Sequence, residues 1–408
     1  MFGRLEAEQL ATAATATAIA LLPLLRPAGP ANTAPLDLFI GVAICACFLS
    51  GVVSGRRWRL AYVLPMGLFV CGGALGALAG PVPGHSFIAL TQDLWLLAWC
   101  ICIANVCRTP QALTLLLRTW IVAALVWAVL LLFGEYAGNA YLAGIQSNEG
   151  GRTSLTFGDP NYAAHYFFLS MMLIAATRWP SKRPVRFLMY AILLPPWALS
   201  GSNSGIVELL LGVTLIATVA LYRRFGAMPT VAIGCFFLLF AAALVPRIPL
   251  TRIQNAAHDS QYRLLRDWVG RSQRTAGQRE ELVRESVVLY RNGGLLGTGP
   301  GSTIERLAAT DAPFAREAHD DYLAALVERG VIGAAGVLLL VGSVLARTGS
   351  IVRRPPSAAF AEVVPRTAPI LAAVVGTLAL GTVYEVLHAR HVWALFGLVA
   401  GLFFWSRE

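Results

Sequence analysis

The chain has 408 residues, 57% of them hydrophobic and only 13% charged, with a mean hydropathy of +0.64. Ordinary soluble domains carry roughly 25% charged residues, so this composition excludes a water-soluble globular fold and makes lipid the solvent. The formal charge of +10 would suit a nucleic-acid partner, but its distribution along the chain excludes that partner and belongs to a membrane protein.

Apolar runs close to the roughly 20 residues a membrane span needs are centred near residues 18, 45, 70, 96, 124, 169, 192, 213, 237, 333, 377 and 399. Lipid-facing backbone must satisfy its own hydrogen bonds. The expected fold is therefore an all-α polytopic membrane protein of about twelve transmembrane helices. Spans 1–9 fall within residues 1–246, a large polar segment covers 247–318, and spans 10–12 follow in 319–408. The alanine-rich start resembles a cleavage site but only Arg4 precedes it, so it reads as an uncleaved first span. The seven cysteines, Cys45, Cys47, Cys71, Cys100, Cys102, Cys107 and Cys235, lie in or at the ends of spans without histidine partners. They read as small apolar packing residues.

Charge sets the expected orientation. Connections after the even-numbered spans carry fifteen cations: Arg56, Arg57, Arg59, Arg108, Arg118, Arg178, Lys182, Arg183, Arg186, Arg223, Arg224, Arg347, Arg353, Arg354 and Arg366. Short connections after the odd-numbered spans carry only Arg26, Arg152 and Arg390. This asymmetry follows the positive-inside rule and predicts cytoplasmic termini with the 247–318 segment outside. That segment holds eleven arginines against eight acids. From about Asp259 to Tyr290 its arginines alternate with Leu264, Leu265, Trp268, Leu282 and Val287 at helical spacing, which predicts amphipathic helices lying on the membrane surface. Membrane anchoring alone would account for that pattern. Arginine in preference to lysine adds a planar fork suited to phosphate or carboxylate.

With this orientation, five separated segments deliver unusual polar residues to the outer face. They are Arg152 with Asp159 and Asn161; Ser200, Ser202 and Asn203; His319 with Asp320, Asp321 and Tyr322; Glu385, His388, Arg390 and His391; and His165 with Glu208, one turn inside their spans. Ionisable groups in spans are costly and usually mark function. Each has a plainer alternative. Asp159 and Asn161 beside Pro160 suit a helix cap, Ser202 and Asn203 suit a turn, and Glu328 and Arg329 suit structural pairing. Gly297, Gly299 and Gly301 are interrupted by Pro300 and follow no strand. They read as a tight turn returning the segment to the membrane rather than a phosphate cradle.

Four stretches resemble the O-antigen ligase and polymerase superfamily of bacterial envelope glycan assembly, closest to the ligases. They are Arg152 with Phe157-Gly158-Asp159-Pro160-Asn161-Tyr162; Leu199-Ser200-Gly201-Ser202-Asn203-Ser204-Gly205; Gly277-Gln278-Arg279 with Gly297-Thr298-Gly299; and His319-Asp320-x-Tyr322-Leu323 with Glu328-x-Gly330 and Gly333. The likeness covers roughly residues 150–405, and the last stretch is the most specific. Asn203 stands where relatives commonly have arginine, and Asp320 where they usually have Asn, Ser or Gln.

The resemblance implies a glycosyltransferase in the bacterial inner membrane, acting at the periplasmic face on a glycan carried by undecaprenyl diphosphate. The ligase branch passes that glycan to a sugar hydroxyl of lipid A–core. Under this reading His319 is the catalytic base, and Arg279 and Arg152 stabilise the leaving diphosphate. Arg390, Asn161, Asn203, Asp320, Tyr322 and Glu385 bind substrate. Direct displacement would invert the anomeric centre. No metal or other cofactor is expected, and the partners are the two lipid-linked substrates and membrane lipid. The alternatives are a glycan polymerase using the same donor and, in a different class, a transporter of lipid-linked glycans. No internal repeat of the kind transporters carry is visible.

Overall fold

The computed structural model describes residues 2–28, 33–145, 151–244, 249–269, 272–309, 320–354 and 358–405. Among them the regular structure is helical. The helices are α1 (Phe2–Ala20), α2 (Pro35–Ser54), α3 (Val63–Ala79), α4 (Pro83–Val106), α5 (Pro110–Tyr136), α6 (Ala140–Ala143), α7 (Pro160–Thr177), α8 (Arg183–Leu199), α9 (Asn203–Phe225) and α10 (Ala227–Leu244). The polar segment contributes α11 (Leu250–His258), α12 (Arg263–Trp268), α13 (Ser272–Gly293) and α14 (Thr303–Ala309). Then come α15 (Asp321–Arg353), α16 (Ala358–Val363), α17 (Ala368–Leu380) and α18 (Arg390–Trp405).

Local chemistry sets these boundaries. Proline opens α2, α4, α5 and α7, where its missing N–H is no loss. Thr109, Asp159, Ser202 and Asp320 cap α5, α7, α9 and α15, each accepting backbone N–H bonds of the first turn. α1 starts earlier than the apolar run centred near residue 18 suggests. It begins at Phe2, takes in Arg4, Glu6 and Glu8, and ends at Ala20 shortly before Pro23.

Helices α2, α4, α5, α9 and α15 are long and apolar enough to cross a membrane, while α3, α17, α18 and Ala227–Phe236 are shorter apolar helices. α7 and α18 form the centre: every residue of α18 from Arg390 to Leu402 is buried, and Trp120, Tyr166, Phe167, Trp393 and Phe396 fill the interior around them. Apolar side chains also cover the outside, with Leu38, Leu64 and Leu78 each more than two-thirds exposed. An apolar exterior of this kind is what lipid contact requires. α3 and α15 meet through small residues, since a Cβ on Gly72 would collide with the backbone of Gly333, and one on Gly336 would stand 2.5 Å from the Phe69 nitrogen. Close backbone approach through glycine is a common membrane-helix contact.

Several arginines of the connections after the even-numbered spans gather at one end of the bundle. There Arg59 and Arg347 lie over the Phe404 ring, Arg108 donates to the Arg57 carbonyl, and Arg223 donates to Val352 O. The polar residues singled out above gather at the opposite end.

Candidate polar site at one end of the bundle

Arg152 lies in the connection between α6 and α7 and is 3% exposed. Its Nε donates to the Ser200 carbonyl at 2.7 Å and Nη2 to Asn161 Oδ1 at 3.3 Å. The same Asn161 oxygen accepts the Ser202 hydroxyl at 2.8 Å. Three segments far apart in sequence thus meet at one guanidinium. Both of these acceptors are neutral and fix the orientation of the guanidinium. Gly201, in the left-handed region at φ 58°, allows the approach: a Cβ there would stand 3.1 Å from Trp268 Cδ1 and 3.4 Å from the Arg152 side chain. Trp268, at the end of α12, packs edge-on against Trp197 of α8 at 5.5 Å. The polar segment therefore reaches back onto the Arg152 cluster.

The turn between α17 and α18 forms the next wall. Tyr162 of α7 donates to the Glu385 carbonyl at 2.8 Å, and Tyr384 donates to Asp159 Oδ2 at 2.6 Å. Asp321 Oδ2 and Oδ1 accept from Val386 and Leu387 N–H at 2.9 and 3.2 Å, which ties this turn to the start of α15. Asp320 acts as the α15 cap, its Oδ1 taking the Tyr322 and Leu323 N–H groups at 2.8 and 2.9 Å. Burial pushes the Asp320 carboxyl above the usual range, opposed by those two donors. The Tyr322 hydroxyl donates to Leu378 O at 2.9 Å. Asn203 is the first residue of α9 and is half-buried.

Arg390 has a partner that sequence reasoning missed. Its Nε and Nη2 grip Asp37 of α2 at 3.1 and 2.8 Å, a bidentate fork. The pair borders a groove of about 330 Å³ between α2, α4 and the α17–α18 turn, with Trp95 and Leu96 as its apolar wall and His388 at its edge. His388 keeps 40% of its side-chain surface open and stands 3.7 Å from Glu385. Desolvation of the enclosed part of the ring, with Arg329 and Arg390 nearby and Glu328 opposing, pushes its imidazole down to about 4.

The glycine run is a turn, and its partner is the kink in α15. Thr298 and Gly299 N–H donate to the Val327 and Glu328 carbonyls, and Val331 N–H donates to Leu295 O. The Glu328 carboxylate takes Gly301 N–H at 2.9 Å and the Thr303 hydroxyl at 2.6 Å. Gly330 at φ 62°, ψ −165° makes the kink, a conformation essentially restricted to glycine. Arg329 points the other way, into the core. It pairs with Asp93 at 2.7 Å and lies 3.8 Å from the Phe69 ring centroid. Glu328 and Arg329 are thus structural ties to the loop and to α4. A third buried group joins α7, α9, α17 and α18. His165 Nδ1 meets Glu208 Oε1 at 2.6 Å, Thr377 Oγ1 lies 3.3 Å from Nε2, and the His391 ring is 5.2 Å away.

The structure therefore brings Arg152, Asn161, Asp320, Tyr322, Glu385 and Arg390 to one end, with Asn203 at the head of α9. His319 lies outside the described residues, as do both ends of the 247–318 segment. Arg279 belongs to α13, and its side chain lies outside the described residues. Asp37 and Asp93 were absent from the sequence-derived set. Their signal was there, since each is an acidic residue in an apolar span and a buried charge needs a partner.

Fold and site together define an integral membrane protein of apolar helices with a polar cluster at one end. Residues 187–338, from α8 into α15, match the family model described as O-antigen ligase. Over that segment the chain is similar to the O-antigen ligase family, a group of glycosyltransferase-like ligases and polymerases. No curated protein matches the chain.

Proposed function

We propose that the protein is an O-antigen ligase-type glycosyltransferase. It would move a glycan from undecaprenyl diphosphate to a sugar hydroxyl of lipid A–core at the periplasmic face of the inner membrane. The observation that carries this reading is the Arg152 cluster: a buried cation oriented by Ser200 and Asn161, beneath a tryptophan of the polar segment. Twelve spans with cytoplasmic termini would put this end of the bundle outside, as the charge asymmetry predicts.

In the proposed reaction the acceptor hydroxyl oxygen attacks the anomeric carbon from the face opposite the diphosphate. A new C–O bond forms as the bond from that carbon to the diphosphate oxygen breaks, with inversion. His319, next in the chain to the capping Asp320, takes the hydroxyl proton. An unperturbed imidazole titrates near 6.5, and general-base catalysis typically contributes roughly 10²–10⁴-fold. The leaving undecaprenyl diphosphate gains negative charge, which Arg152 and Arg279 stabilise electrostatically. Asn161, Asn203, Tyr322 and Glu385 line the glycan path. The Trp95 wall of the groove beside Arg390 receives the polyprenyl chain. The step proposed needs no metal; both Asp321 oxygens and Asp320 Oδ1 already accept backbone N–H groups.

The test replaces His319 with Ala and examines lipopolysaccharide on a gel. Loss of long glycan from lipid A–core is expected, and full attachment would sink the base assignment. Loss of activity on dialysis against EDTA would overturn the metal-free step. Accumulation of a single unattached repeat in a deletion strain would instead indicate a polymerase.

A further inference from the structure

The buried pair of His165 and Glu208 lies one helical turn below the Arg152 cluster. His165 follows Asn161 by four residues on α7, and Glu208 follows Ser204 by four on α9. Residues at that spacing stack on one face of a helix, about 6 Å apart along its axis. α7 and α9 therefore meet in an upper and a lower polar layer. In the upper layer the Ser202 hydroxyl donates to Asn161 Oδ1 at 2.8 Å and lies 2.9 Å from Ser204 Oγ. In the lower layer His165 Nδ1 meets Glu208 Oε1 at 2.6 Å, with 0% and 1% of the two side chains exposed.

The apolar contacts beside these layers are made close by small residues. A Cβ on Gly205 would stand 3.0 Å from Ala164 Cβ, and one on Gly212 would stand 3.0 Å from the Phe168 ring. Apolar contact is non-directional and by itself lets one helix slide or turn against the other. A hydrogen bond is directional, so the lower layer fixes the register. The same imidazole is held from two further helices. Thr377 Oγ1 of α17 lies 3.3 Å from Nε2, and the ring of His391, next in the chain to Arg390, is 5.2 Å away on α18. Enclosed in this way, the pair is placed to act through its neighbours and not on a substrate.

We infer that His165 and Glu208 are positioning residues. The pair sets α7 against α9 and so aims Asn161, which holds Arg152 Nη2, and it passes no proton in the reaction. The inference rests on the transferase reading for its effect on rate; the register is read without substrate.

Hydrogen exchange of the full chain in detergent tests the register. Glu208→Met keeps an unbranched side chain of similar length and removes the hydrogen bond. It should speed exchange about fivefold at Gly205, whose N–H is held by Ser202 Oγ at 3.1 Å, as expected for the loss of about one hydrogen bond. Glu208→Gln, whose amide can donate or accept and so suits either imidazole tautomer, should exchange like the parent. Unchanged exchange in Glu208→Met would overturn the proposal whether or not the chain transfers glycan. Kinetics with lipid-linked glycan and lipid A–core then test the aim. Glu208→Met should lower kcat about 10²-fold, the cost of a ~1 Å misplacement, with KM within about twofold of the parent. In an Asn161→Ala background the same change should cost less than about threefold, because both act through Arg152. Glu208→Gln should recover most of the parent kcat. Multiplying effects in the double variant, or a Glu208→Gln enzyme as slow as Glu208→Met, would overturn the proposal. His165→Phe with Glu208→Met leaves neither partner orphaned, which protects the fold. Its kcat should stay low, and recovery of kcat together with Tm would show that the pair only stabilises. A parent without turnover would count against the transferase reading, and the exchange result would still decide the register.

Discussion

Replacing Asp93 with Asn removes the counter-charge beneath Arg329 while keeping the side chain's shape. Both partners are nearly sealed, with 3% of the Arg329 and 5% of the Asp93 side-chain surface exposed, and they meet at 2.7 Å. Removing one partner of a buried pair costs ~3–5 kcal/mol, because a charge is left uncompensated. The Phe69 face stays 3.8 Å from the guanidinium, so part of its stabilisation survives and the lower figure applies. A loss of ~3 kcal/mol in a chain of this size corresponds to a fall in Tm on the order of 5 °C. The assay is intrinsic tryptophan fluorescence of detergent-purified protein at one fixed scan rate, since unfolding of large proteins is often irreversible. The double variant Asp93→Leu with Arg329→Met removes both charges, and such replacements are often neutral or stabilising. Its Tm should lie above that of Asp93→Asn. A single variant within about 1 °C of the parent, or a double variant no better than the single, would refute the reasoning.

Gly201→Ala should impair glycan attachment, because the left-handed backbone costs ~1–2 kcal/mol for a residue with a Cβ and the new atom would press on Trp268 and Arg152. Gly67→Ala, with nothing near its Cβ, is the control, and equal attachment in both on a lipopolysaccharide gel would contradict the packing. Glu328→Gln should loosen the 295–303 turn, since an amide nitrogen would face one of the two donors the carboxylate now satisfies, at ~1–3 kcal/mol; faster hydrogen exchange at Gly301 is the readout, and an unchanged rate counts against the tie. His388 has its imidazole pushed down to about 4 in the fold, so below the unfolded value of about 6.5 the unfolded chain binds more protons. Stability is therefore present above about 6.5 and falls as pH drops from there toward 4. His388→Gln should flatten that part of the Tm-against-pH curve, and a parallel curve would show that His388 is not responsible.

Much of this was legible in the sequence, for physical reasons that differ by residue. The cap at Asp159 was legible because a helix start needs a side-chain acceptor for its first N–H groups; Ser202, whose type also suits a turn, and Asp320, expected to bind substrate, cap α9 and α15 instead. The plainer readings of Glu328, Arg329 and the glycine run also describe what the structure contains: ties and a turn. Hydropathy centres the first span on its apolar part near residue 18 and gives no sign of the polar first turns of α1. Pairings between distant spans were not legible. Asp37 could be recognised as an acid in a costly place, but nothing near it in the chain points to Arg390, 353 residues away.

Composition determined that this chain is a helical membrane protein, because lipid penalises unsatisfied backbone. Residue pattern placed the polar groups near helix ends. Which of them meet was decided by tertiary packing alone: Arg152 with Asn161 and Ser200, Arg390 with Asp37, and Arg329 with Asp93. Helix propensity and hydropathy are local properties. The partner of a buried charge depends on which helices pack side by side, and here that depends on close contacts such as Gly72 against Gly333.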